Sequence, residues 1–479
     1  MPSNSVIVIG GGLAGLSSGV ALAEAGFRVR LLEKRPHLGG RATSYLLPSG
    51  EHVDNCQHVT LGCCTNLDDF YRRVGAAHKI RTYCRLLFAD SVGRRGVIEA
   101  SSLAPPFHLA PSFAFFPSLT WADKHSIGHA LLRIARSGGR PTELDGTGGA
   151  TMLDWLRRLG QTEAAIERFW RVVLVSALDE ELGRTDARYG VNVFWKAFLA
   201  NRSGFELGIP AVPLGELYDG CRGAIELRGG EVRTRVGVRE ICIAEGRVTG
   251  VRLENDEEAT ADFYVAAVPH DLLLTLLPAP VVEREPVFAN LRNLRTSPIT
   301  GVHLWFDRSV MNEPFLTLLD RTTQWIFNKS RLYAASDSAG TNGGPAEAGQ
   351  YLQLVISASY DLVPRSRQEI IELCRRELQE VLPGAREAQL LKATVIKETA
   401  ATFSPEPGCD RWRPAQNSPV KNLFLAGDWT ATGWPATMEG AVRSGYLAAE
   451  GVLTAAGQTR KLLRPDLPAE GLARCWAHE

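Results

Sequence analysis

The sequence predicts an α/β fold in which a domain built on a parallel sheet is interleaved with a second, α+β domain. A run of β-branched residues, Val6-Ile7-Val8-Ile9, leads into a glycine-rich turn and then into a helix with a small-residue face, as in a βαβ unit. Another short apolar strand recurs near the far end of the chain, at Leu423-Phe424-Leu425-Ala426. Two stretches of different texture, roughly residues 90–215 and 275–415, separate these pieces and mix helices with alternating strands.

The elements follow in order from local signals. Gly26 ends the first helix, and Phe27–Leu32 forms the next strand. Residues 229–267 predict a compact β-meander, because short β-branched runs alternate there with glycine and acidic turns. Its strands are expected at Val232–Thr234, Ile241–Ile243, Val248–Val251 and Phe263–Val265. We also expect strands at 301–306 and 351–356, helices at 369–382 and 438–453, and a flexible loop at 336–349.

The composition excludes several classes of function. The 479 residues carry 53 Lys and Arg against 53 Asp and Glu, so the formal net charge is zero. A chain without a global basic field is not expected to bind nucleic acid. The nine cysteines include no C-x-x-C pair, which argues against a disulfide scaffold or a structural metal site and favours a reducing compartment.

Two long uncharged runs do not predict membrane spans. Residues 1–23 lack the basic start of a signal peptide, and four glycines interrupt them. Residues 100–122 contain four prolines, which exclude a regular spanning helix. We therefore expect a cytoplasmic protein.

The strongest motif is Gly10-Gly11-Gly12-Leu13-Ala14-Gly15, which fits G-x-G-x-x-G directly after a strand and directly before a helix. In this pattern Gly10 makes the turn, Gly12 lets a pyrophosphate reach the backbone, and Gly15 lets helix and strand pack. Glu33 closes the second strand, where a carboxylate accepts hydrogen bonds from ribose hydroxyls. The context predicts a Rossmann-like domain that binds a dinucleotide.

A second glycine pair follows at Gly39-Gly40-Arg41. An extended cofactor needs extra neutralisation of its pyrophosphate, and Arg35 and Arg41 are the candidates. Solvated surface charges are the alternative explanation for both arginines.

These motifs together resemble the FAD-containing amine oxidase and carotenoid desaturase group. A C-terminal signature agrees with it, Leu425-Ala426-Gly427-Asp428 followed by Pro435-Ala436-Thr437-Met438-Glu439-Gly440-Ala441. The resemblance implies a GR2-type flavoprotein fold, FAD as cofactor, Asp428 at the ribityl or pyrophosphate region, and a helix from Met438 that points its N–H groups at the flavin. It implies this set of cofactor-binding residues: Gly10, Gly12, Leu13, Ala14, Gly15, Glu33, Lys34, Arg35, Gly39, Gly40, Arg41, Val238, Gly427, Asp428, Thr437 and Met438.

The resemblance also implies a division of the chain. FAD-binding segments are expected at 1–90, at 215–275 with the β-meander, and at 415–460. The substrate domain would comprise a helical segment at 91–214 and a further segment at 276–414, and residues 461–479 would form a tail.

Within the group, several segments resemble the squalene-associated branch, the hydroxysqualene dehydroxylases of bacterial hopanoid pathways. They include Asp54-Asn55-Cys56-Gln57-His58, Val302-His303-Leu304-Trp305-Phe306-Asp307 and Thr432-Gly433-Trp434-Pro435. The resemblance implies a C30 isoprenoid substrate, an alcohol whose hydroxyl is replaced by hydride from reduced flavin to give squalene. The electron donor is not identified, since no second G-x-G-x-x-G of the nicotinamide type is evident.

Such a reaction needs a general acid beside a dry cavity and groups that stabilise positive charge. His58 and Asp54 are the candidates for the acid, although each could simply be structural. Trp305, Trp325 and Trp434 could stabilise a cation through their ring faces, and His303 is a further candidate for the substrate lining. Plain core packing explains each of these four residues equally well.

The proline-rich run Leu103–Leu119, with Phe107, Phe113, Phe115 and Phe116, could reach into a bilayer interface and give peripheral contact with the inner membrane. A buried loop of the substrate domain is the alternative.

Three other functions stay open. The first is a carotenoid-type desaturase acting on phytoene or dehydrosqualene, and the second is an amine oxidase. The third is a non-catalytic isoprenoid escort protein of the same fold, which would bind no flavin.

Overall fold

The computed structural model describes residues 4–48, 50–140, 144, 149–334 and 349–477. Most of the loop expected at 336–349 lies outside the described residues. The strands are β1 (Ser5–Ile9), β2 (Arg28–Glu33), β3 (Ser44–Leu46), β4 (His52–Asp54), β5 (Thr60–Leu61), β6 (Ile80–Tyr83), β7 (Arg85–Ala89), β8 (Arg95–Glu99), β9 (Leu207–Pro210), β10 (Glu231–Thr234), β11 (Val238–Ala244), β12 (Arg247–Leu253), β13 (Glu258–Ala259), β14 (Phe263–Ala266), β15 (Thr296–Phe306), β16 (Phe315–Leu318), β17 (Trp325–Asn328), β18 (Gln350–Ile356), β19 (Leu390–Phe403) and β20 (Leu423–Leu425).

The helices are distributed over both domains. They are α1 (Leu13–Glu24), α2 (Thr65–Arg73), α3 (Ala110–Ala114), α4 (Trp121–Arg136), α5 (Met152–Arg158), α6 (Glu163–Ala165), α7 (Arg171–Leu178), α8 (Ala187–Val193), α9 (Asp219–Glu226), α10 (His270–Leu276), α11 (Ala279–Arg284), α12 (Pro286–Ala289), α13 (Lys329–Tyr333), α14 (Arg367–Val381), α15 (Gly384–Glu387) and α16 (Met438–Ala455). No helix among the described residues combines the length and the apolar character that crossing a bilayer requires.

A five-stranded parallel sheet, in the order β10-β2-β1-β14-β20, organises the first domain. Its strands come from three widely separated parts of the chain, as the interleaved α/β prediction requires. The central strand β1 is apolar because both faces of the sheet are covered. Val6 and Val8 pack in one cluster with helices α1, α9 and α16, and Ile7 and Ile9 belong to a second cluster that includes residues of β11 and β12. Since all five strands run in one direction, their carboxyl ends share one edge, and the loops that follow β1, β2, β14 and β20 meet there.

Helices α1 and α16 pack against each other at a point where backbone meets backbone. A Cβ at Gly445 would lie 2.1 Å from the Ser17 Oγ and 2.4 Å from the Ala14 carbonyl oxygen. A Cβ at Gly15 would lie 1.9 Å from the Gly10 carbonyl oxygen. These glycines bring the amino ends of both helices to the same edge of the sheet.

The second domain is built on a mostly antiparallel seven-stranded sheet in the order β19-β15-β18-β17-β16-β7-β8. Helices α3 to α8 lie in sequence between strands β8 and β15 of this sheet and form a largely helical region. The expected boundary at 90/91 falls between β7 and β8, which are the two strands of one hairpin in this sheet.

The predicted β-meander is partly wrong. Strands β11, β12 and β13 do form a small antiparallel sheet. Strands β10 and β14, expected as its outer members, pair in parallel with β2 and β1 of the main sheet instead. Short strands separated by tight turns look alike in sequence whether they form hairpins or alternate between two sheets, so the spacing could not separate the two cases.

Candidate functional site

A cavity of about 930 Å³ opens along the carboxyl edge of the parallel sheet and extends to the second domain. Every predicted cofactor-binding residue except Gly15 lines it. Gly15 lies behind the cavity wall and provides the close contact between turn and helix described above. Residues far apart in the sequence, from Gly10 to Met438, thus converge on one cavity.

Bare backbone forms the floor of this cavity. Gly10 adopts a φ of +106°, which side chains rarely permit, and turns the chain from β1 into α1. A Cβ at Gly12 would meet, among the described atoms, the Cα of Gly40 at 3.8 Å and nothing nearer. Space on that side of Gly12 allows a bound phosphate to approach the backbone N–H groups at the start of α1.

Glu33 stands at the end of β2 on the same edge. Its Oε2 accepts a hydrogen bond from the Gly11 N–H at 2.6 Å, and its Oε1 accepts one from the Arg35 N–H at 2.7 Å. These bonds fix the carboxylate and leave further lone pairs on both oxygens. The arrangement fits a pair of ribose hydroxyls.

Arg41 and Asp428 form an ion pair at 2.6 Å between the second glycine loop and the loop after β20. The Arg41 Nη1 also donates to the carbonyl oxygen of Ala401. Burial alone would lower the pKa of Arg41, but the Asp428 carboxylate reverses this effect and raises it. A fixed cation and a fixed carboxylate therefore lie side by side on the lining.

The N-terminus of α16 points at the same region. Thr437 caps the helix by accepting a hydrogen bond from the Gly440 N–H at 3.0 Å, and both Thr437 and Met438 line the cavity. The free N–H groups of the first turn carry partial positive charge, which stabilises an anion placed there. Bare glycine backbone, Glu33, the Arg41–Asp428 pair and this helix end together fit FAD.

The arginine and lysine after Glu33 are less firmly held. Lys34 pairs with Glu254 at 2.7 Å, and both side chains are exposed. The guanidinium of Arg35 donates to the Gly40 carbonyl oxygen at 3.3 Å. Both residues line the cavity rim, as does Val238 on β11.

His58 lies on the cavity lining, as expected for a candidate acid. Its Nδ1 is 3.0 Å from the Cys56 carbonyl oxygen. Burial lowers the pKa of His58, so its imidazole ring is neutral at pH 7.

Asp54 does not lie on the lining. Its carboxylate is 1% exposed and accepts hydrogen bonds from Lys329, Tyr333, Ser44 and the Leu214 N–H. Burial alone would raise the pKa of Asp54, but the Lys329 ammonium and these hydrogen bonds lower it. The prediction of Asp54 as an acid is therefore not supported, because the group is an ionised anchor for the 54–58 segment.

His303 and Trp305 also lie away from the cavity. His303 is fully buried, with its Nδ1 2.8 Å from the Tyr351 hydroxyl, and burial lowers its pKa to about 3. Trp305 stacks on Tyr351 at 4.5 Å. A Cβ at Gly301 would lie 3.1 Å from the Asn55 carbonyl oxygen, which shows that the 54–58 segment crosses β15 there and covers this face.

The two remaining tryptophans differ. Trp434 lines the cavity and is 7% exposed. Trp325 packs in an apolar cluster with Phe315 and Phe327 behind the lining. Its Nε1 donates to the Ser176 Oγ at 2.7 Å, and Ser176 itself lines the cavity.

Away from the glycine floor, the lining is mainly apolar and receives residues of both domains. Val59, Leu61, Ala177, Val193, Ile299 and Val355 belong to this part. A carboxylic acid that the sequence analysis did not select, Asp179, lies among them. It directly follows the apolar helix α7 and precedes Glu180 and Glu181, and this abrupt change from apolar to acidic is the signal that could have drawn attention to it.

The segment predicted as a tail is described through residue 477 and lies across the outer side of the cavity wall. Its Asp466 pairs with Lys196 and with Arg443, and accepts a hydrogen bond from the Trp434 Nε1 at 3.3 Å. Lys196 also stands 4.6 Å over the Trp434 ring. Further along, the Glu470 N–H donates to the Ala200 carbonyl oxygen, so this segment ties α16 to the helical region.

The proline-rich run Leu103–Leu119 is exposed on one side and buried on the other. Leu103, Phe107 and Phe115 are exposed, Phe115 by 85%, whereas Phe116 is buried. Phe107, Phe113 and Phe116 line a second, almost entirely apolar cavity of about 440 Å³.

The Arg41–Asp428 pair gives a direct test of the cofactor site. In D428N the cation keeps its position but loses its charged partner, and a hydrogen bond to a charged group contributes about 1.5–3 kcal/mol. We expect FAD affinity to fall by roughly tenfold to a hundredfold, measured by titrating apoprotein and following quenching of flavin fluorescence.

E99Q is the matched control, since it breaks the exposed Arg85–Glu99 pair, neither residue of which lines this cavity, and an exposed pair contributes about 0–1 kcal/mol. Equal FAD affinity in D428N and the wild type would contradict this assignment of Asp428.

Comparison with known proteins agrees with the geometry. The chain is 26% identical to the 15-cis-phytoene desaturase of Synechococcus elongatus over 472 residues, which cover 94% of this chain and 95% of the relative. It is 28% identical to the zeta-carotene desaturase of Synechocystis over 478 residues, covering 94% of this chain and 97% of the relative.

Solved structures share the fold. An oxidoreductase from Methanosarcina mazei superposes with a TM-score of 0.72 at 20% identity, covering 94% of this chain and all of the other. Cyclohexylamine oxidase from Brevibacterium oxydans superposes with a TM-score of 0.70 at 17% identity, covering 95% of this chain and all of the other. Residues 13–453 match the family model described as flavin containing amine oxidoreductase. The chain therefore belongs to this family of FAD-dependent oxidoreductases, and its cofactor is FAD.

Proposed function

We propose that this enzyme desaturates a long acyclic isoprenoid hydrocarbon, in the manner named for its relatives, the phytoene and zeta-carotene desaturases. The observation that carries the proposal is a cofactor site continuous with an apolar cavity, since one lining contains both the glycine floor and residues such as Leu61, Ile299 and Val355. Apolar walls bind a hydrocarbon chain through burial of its surface, without any charged recognition group.

Each part of the cavity has a role in this reaction. Glu33 and the Arg41–Asp428 pair would hold the ribose and the pyrophosphate or ribityl region of FAD, and the α16 N-terminus would face the flavin ring. The bound flavin supplies a two-electron acceptor for hydride. The apolar wall, which includes Trp434, would orient the hydrocarbon and exclude water.

The amine oxidase alternative has less support. The solved oxidases that act on amines are under 25% identical to this chain, so they bear on the fold alone. The carboxylates Glu254, Asp428 and Glu439 on the lining are already paired with Lys34, Arg41 and Arg443, which leaves them poorly suited to receive a substrate ammonium group.

Reductive removal of the hydroxyl of hydroxysqualene is the second candidate function. Asp179 favours it, since a buried carboxyl group on an apolar wall can protonate a leaving hydroxyl. In that direction the flavin would enter reduced and supply hydride. The non-catalytic escort alternative predicts no bound flavin, and a complete FAD site argues against it.

Product analysis separates these functions. Oxidised holoprotein is incubated with 15-cis-phytoene and a quinone acceptor, and dithionite-reduced holoprotein is incubated anaerobically with hydroxysqualene. We expect a more unsaturated polyene in the first reaction, identified by its absorbance and mass. Squalene in the second reaction, with no product in the first, would replace the proposal by the second candidate.

We also propose that the exposed side of the proline-rich run contacts membranes, from which an insoluble hydrocarbon has to be taken. Phe115 in the run is 85% exposed, and Trp121, which begins α4 just after the run, is 71% exposed. Lys124 stands 4.9 Å over the Trp121 ring. Aromatic side chains beside a basic group are suited to the interface of an anionic bilayer.

The double variant F115S/W121S tests the membrane contact. Burying one large apolar side chain contributes about 1.5–3 kcal/mol, so we expect binding to anionic vesicles to fall by roughly tenfold or more. Co-sedimentation with the vesicles measures it. L227S is the matched control, because Leu227 is 87% exposed at the end of α9, and unchanged binding of the double variant would reject the contact.

A further inference from the structure

Asp179 takes an uncommon backbone conformation at the end of α7. It has a φ of +54°, in the left-handed region that residues other than glycine seldom occupy. Its Oδ1 accepts a hydrogen bond at 2.8 Å from the N–H of Ala358, whose own φ is +50°. Two strained residues from different parts of the chain therefore meet at one contact beside the cavity. Strain of this kind persists where the surrounding structure holds it in place, often at functional sites.

The carboxyl group of Asp179 differs from the other carboxyl groups on the lining. Among the described residues, Glu254, Asp428 and Glu439 each have a cationic partner, and two backbone N–H groups hold Glu33. Asp179 instead accepts hydrogen bonds from neutral donors, the Ala358 N–H and the Thr402 hydroxyl at 2.9 Å. The residue is only 4% exposed, yet it lines the cavity.

The charges around Asp179 favour its protonated form. Burial raises the pKa of Asp179 well above its usual range, and the neighbouring Glu180 raises it further, whereas the two hydrogen bonds oppose the shift. Glu180 itself lies 3.4 Å from the Arg184 guanidinium. The titratable group that faces Asp179 from the opposite segment is the Cys56 thiol, whose pKa burial raises. Neither neighbour supplies a positive charge.

We propose that Asp179 is the catalytic residue that exchanges a proton with the substrate while hydride passes between substrate and flavin. This inference rests on the proposed function, because it assumes that a hydrocarbon or its alcohol occupies the apolar part of the cavity. Two buried carboxyl groups on the described lining have no cationic partner, Glu33 and Asp179. Glu33 belongs to the glycine floor, whereas Asp179 lies in the apolar part of the cavity, so Asp179 is the one placed to meet a hydrocarbon or its alcohol.

The two candidate reactions use the same proton in opposite directions. In desaturation, the Asp179 carboxylate would take a proton from one substrate carbon, and the electrons of that C–H bond would form the new double bond, while bound oxidised FAD would serve as acceptor for hydride from the adjacent carbon. In dehydroxylation, the Asp179 carboxylic acid would protonate the hydroxyl, so that the C–O bond breaks and water leaves with the bonding electrons, and bound reduced FAD would be the source of the hydride for the new C–H bond. The desaturation rate would rise with pH through the pKa of Asp179, and the dehydroxylation rate would fall.

D179N is the direct test, because the amide retains an acceptor for Ala358 and gains a donor toward Thr402. We expect FAD binding and KM to be retained while kcat falls by roughly 10²–10⁴-fold, the usual contribution of a general acid or base. D320N is the matched control, since Asp320 is also left-handed, with a φ of +58°, but pairs with Arg168 away from this cavity. Full kcat in D179N would overturn the proposal.

A measurement without substrate tests the protonated carboxyl group on its own. An aspartate whose pKa is raised by folding releases its proton on unfolding, so the wild type loses stability as pH rises above about 4, the usual range of the group. The Tm of D179N relative to the wild type should therefore increase between pH 4 and 7. A pH-independent difference in Tm would overturn the assignment. Absence of turnover of both substrates by flavin-loaded wild type would instead reject the proposed function, while this Tm comparison would still test Asp179.

Discussion

The ion pair between Arg41 and Asp428 connects the two ends of the chain on which the cofactor site depends. Arg41 follows the second glycine loop, and Asp428 follows the last strand of the parallel sheet, 387 positions later. Between them the chain leaves the first domain and returns to it. Because the partners are fixed at the carboxyl edge of the same sheet, the pair keeps the glycine floor, the Glu33 carboxylate and the α16 N-terminus on one cavity.

The same edge brings the second domain into contact with the cofactor site. The Arg41 guanidinium also donates to the Ala401 carbonyl oxygen on β19, and Thr402, the next residue on that strand, donates to Asp179. Two neighbouring residues of β19 thus connect Arg41 in the cofactor site with Asp179 in the apolar part of the cavity. The 461–477 segment supports the opposite wall, where Asp466 holds Lys196, Arg443 and the Trp434 indole together.

The cofactor site could be predicted from sequence because its signals are local. The turn at Gly10, the small residues of α1 and the carboxylate of Glu33 each depend on a few neighbouring residues and on the period of a strand or helix.

The residues around the apolar part of the cavity could not be predicted in the same way. His303 was a reasonable candidate on its strand, but the 54–58 segment crosses β15 at Gly301 and separates it from the cavity. Asp54 is a candidate acid by its position in the sequence, but its carboxylate is paired with the ammonium group of Lys329, which lies 275 residues away in the chain. Asp179 becomes a buried carboxyl group with neutral hydrogen-bond donors only in the folded chain, where the distant residues Ala358 and Thr402 contact it.

The whole length of FAD is expected to lie along this cavity, with the adenosine ribose at Glu33 and the far half at Asp428. Calorimetric titration of apoprotein with FAD and with FMN, which lacks the adenosine monophosphate half, tests it directly. We predict that FAD binds at least about a hundredfold more tightly, since anchoring the adenosine half should contribute about 3 kcal/mol or more. Equal affinities for FAD and FMN would show that Glu33 and the glycine floor hold nothing, and would contradict the account.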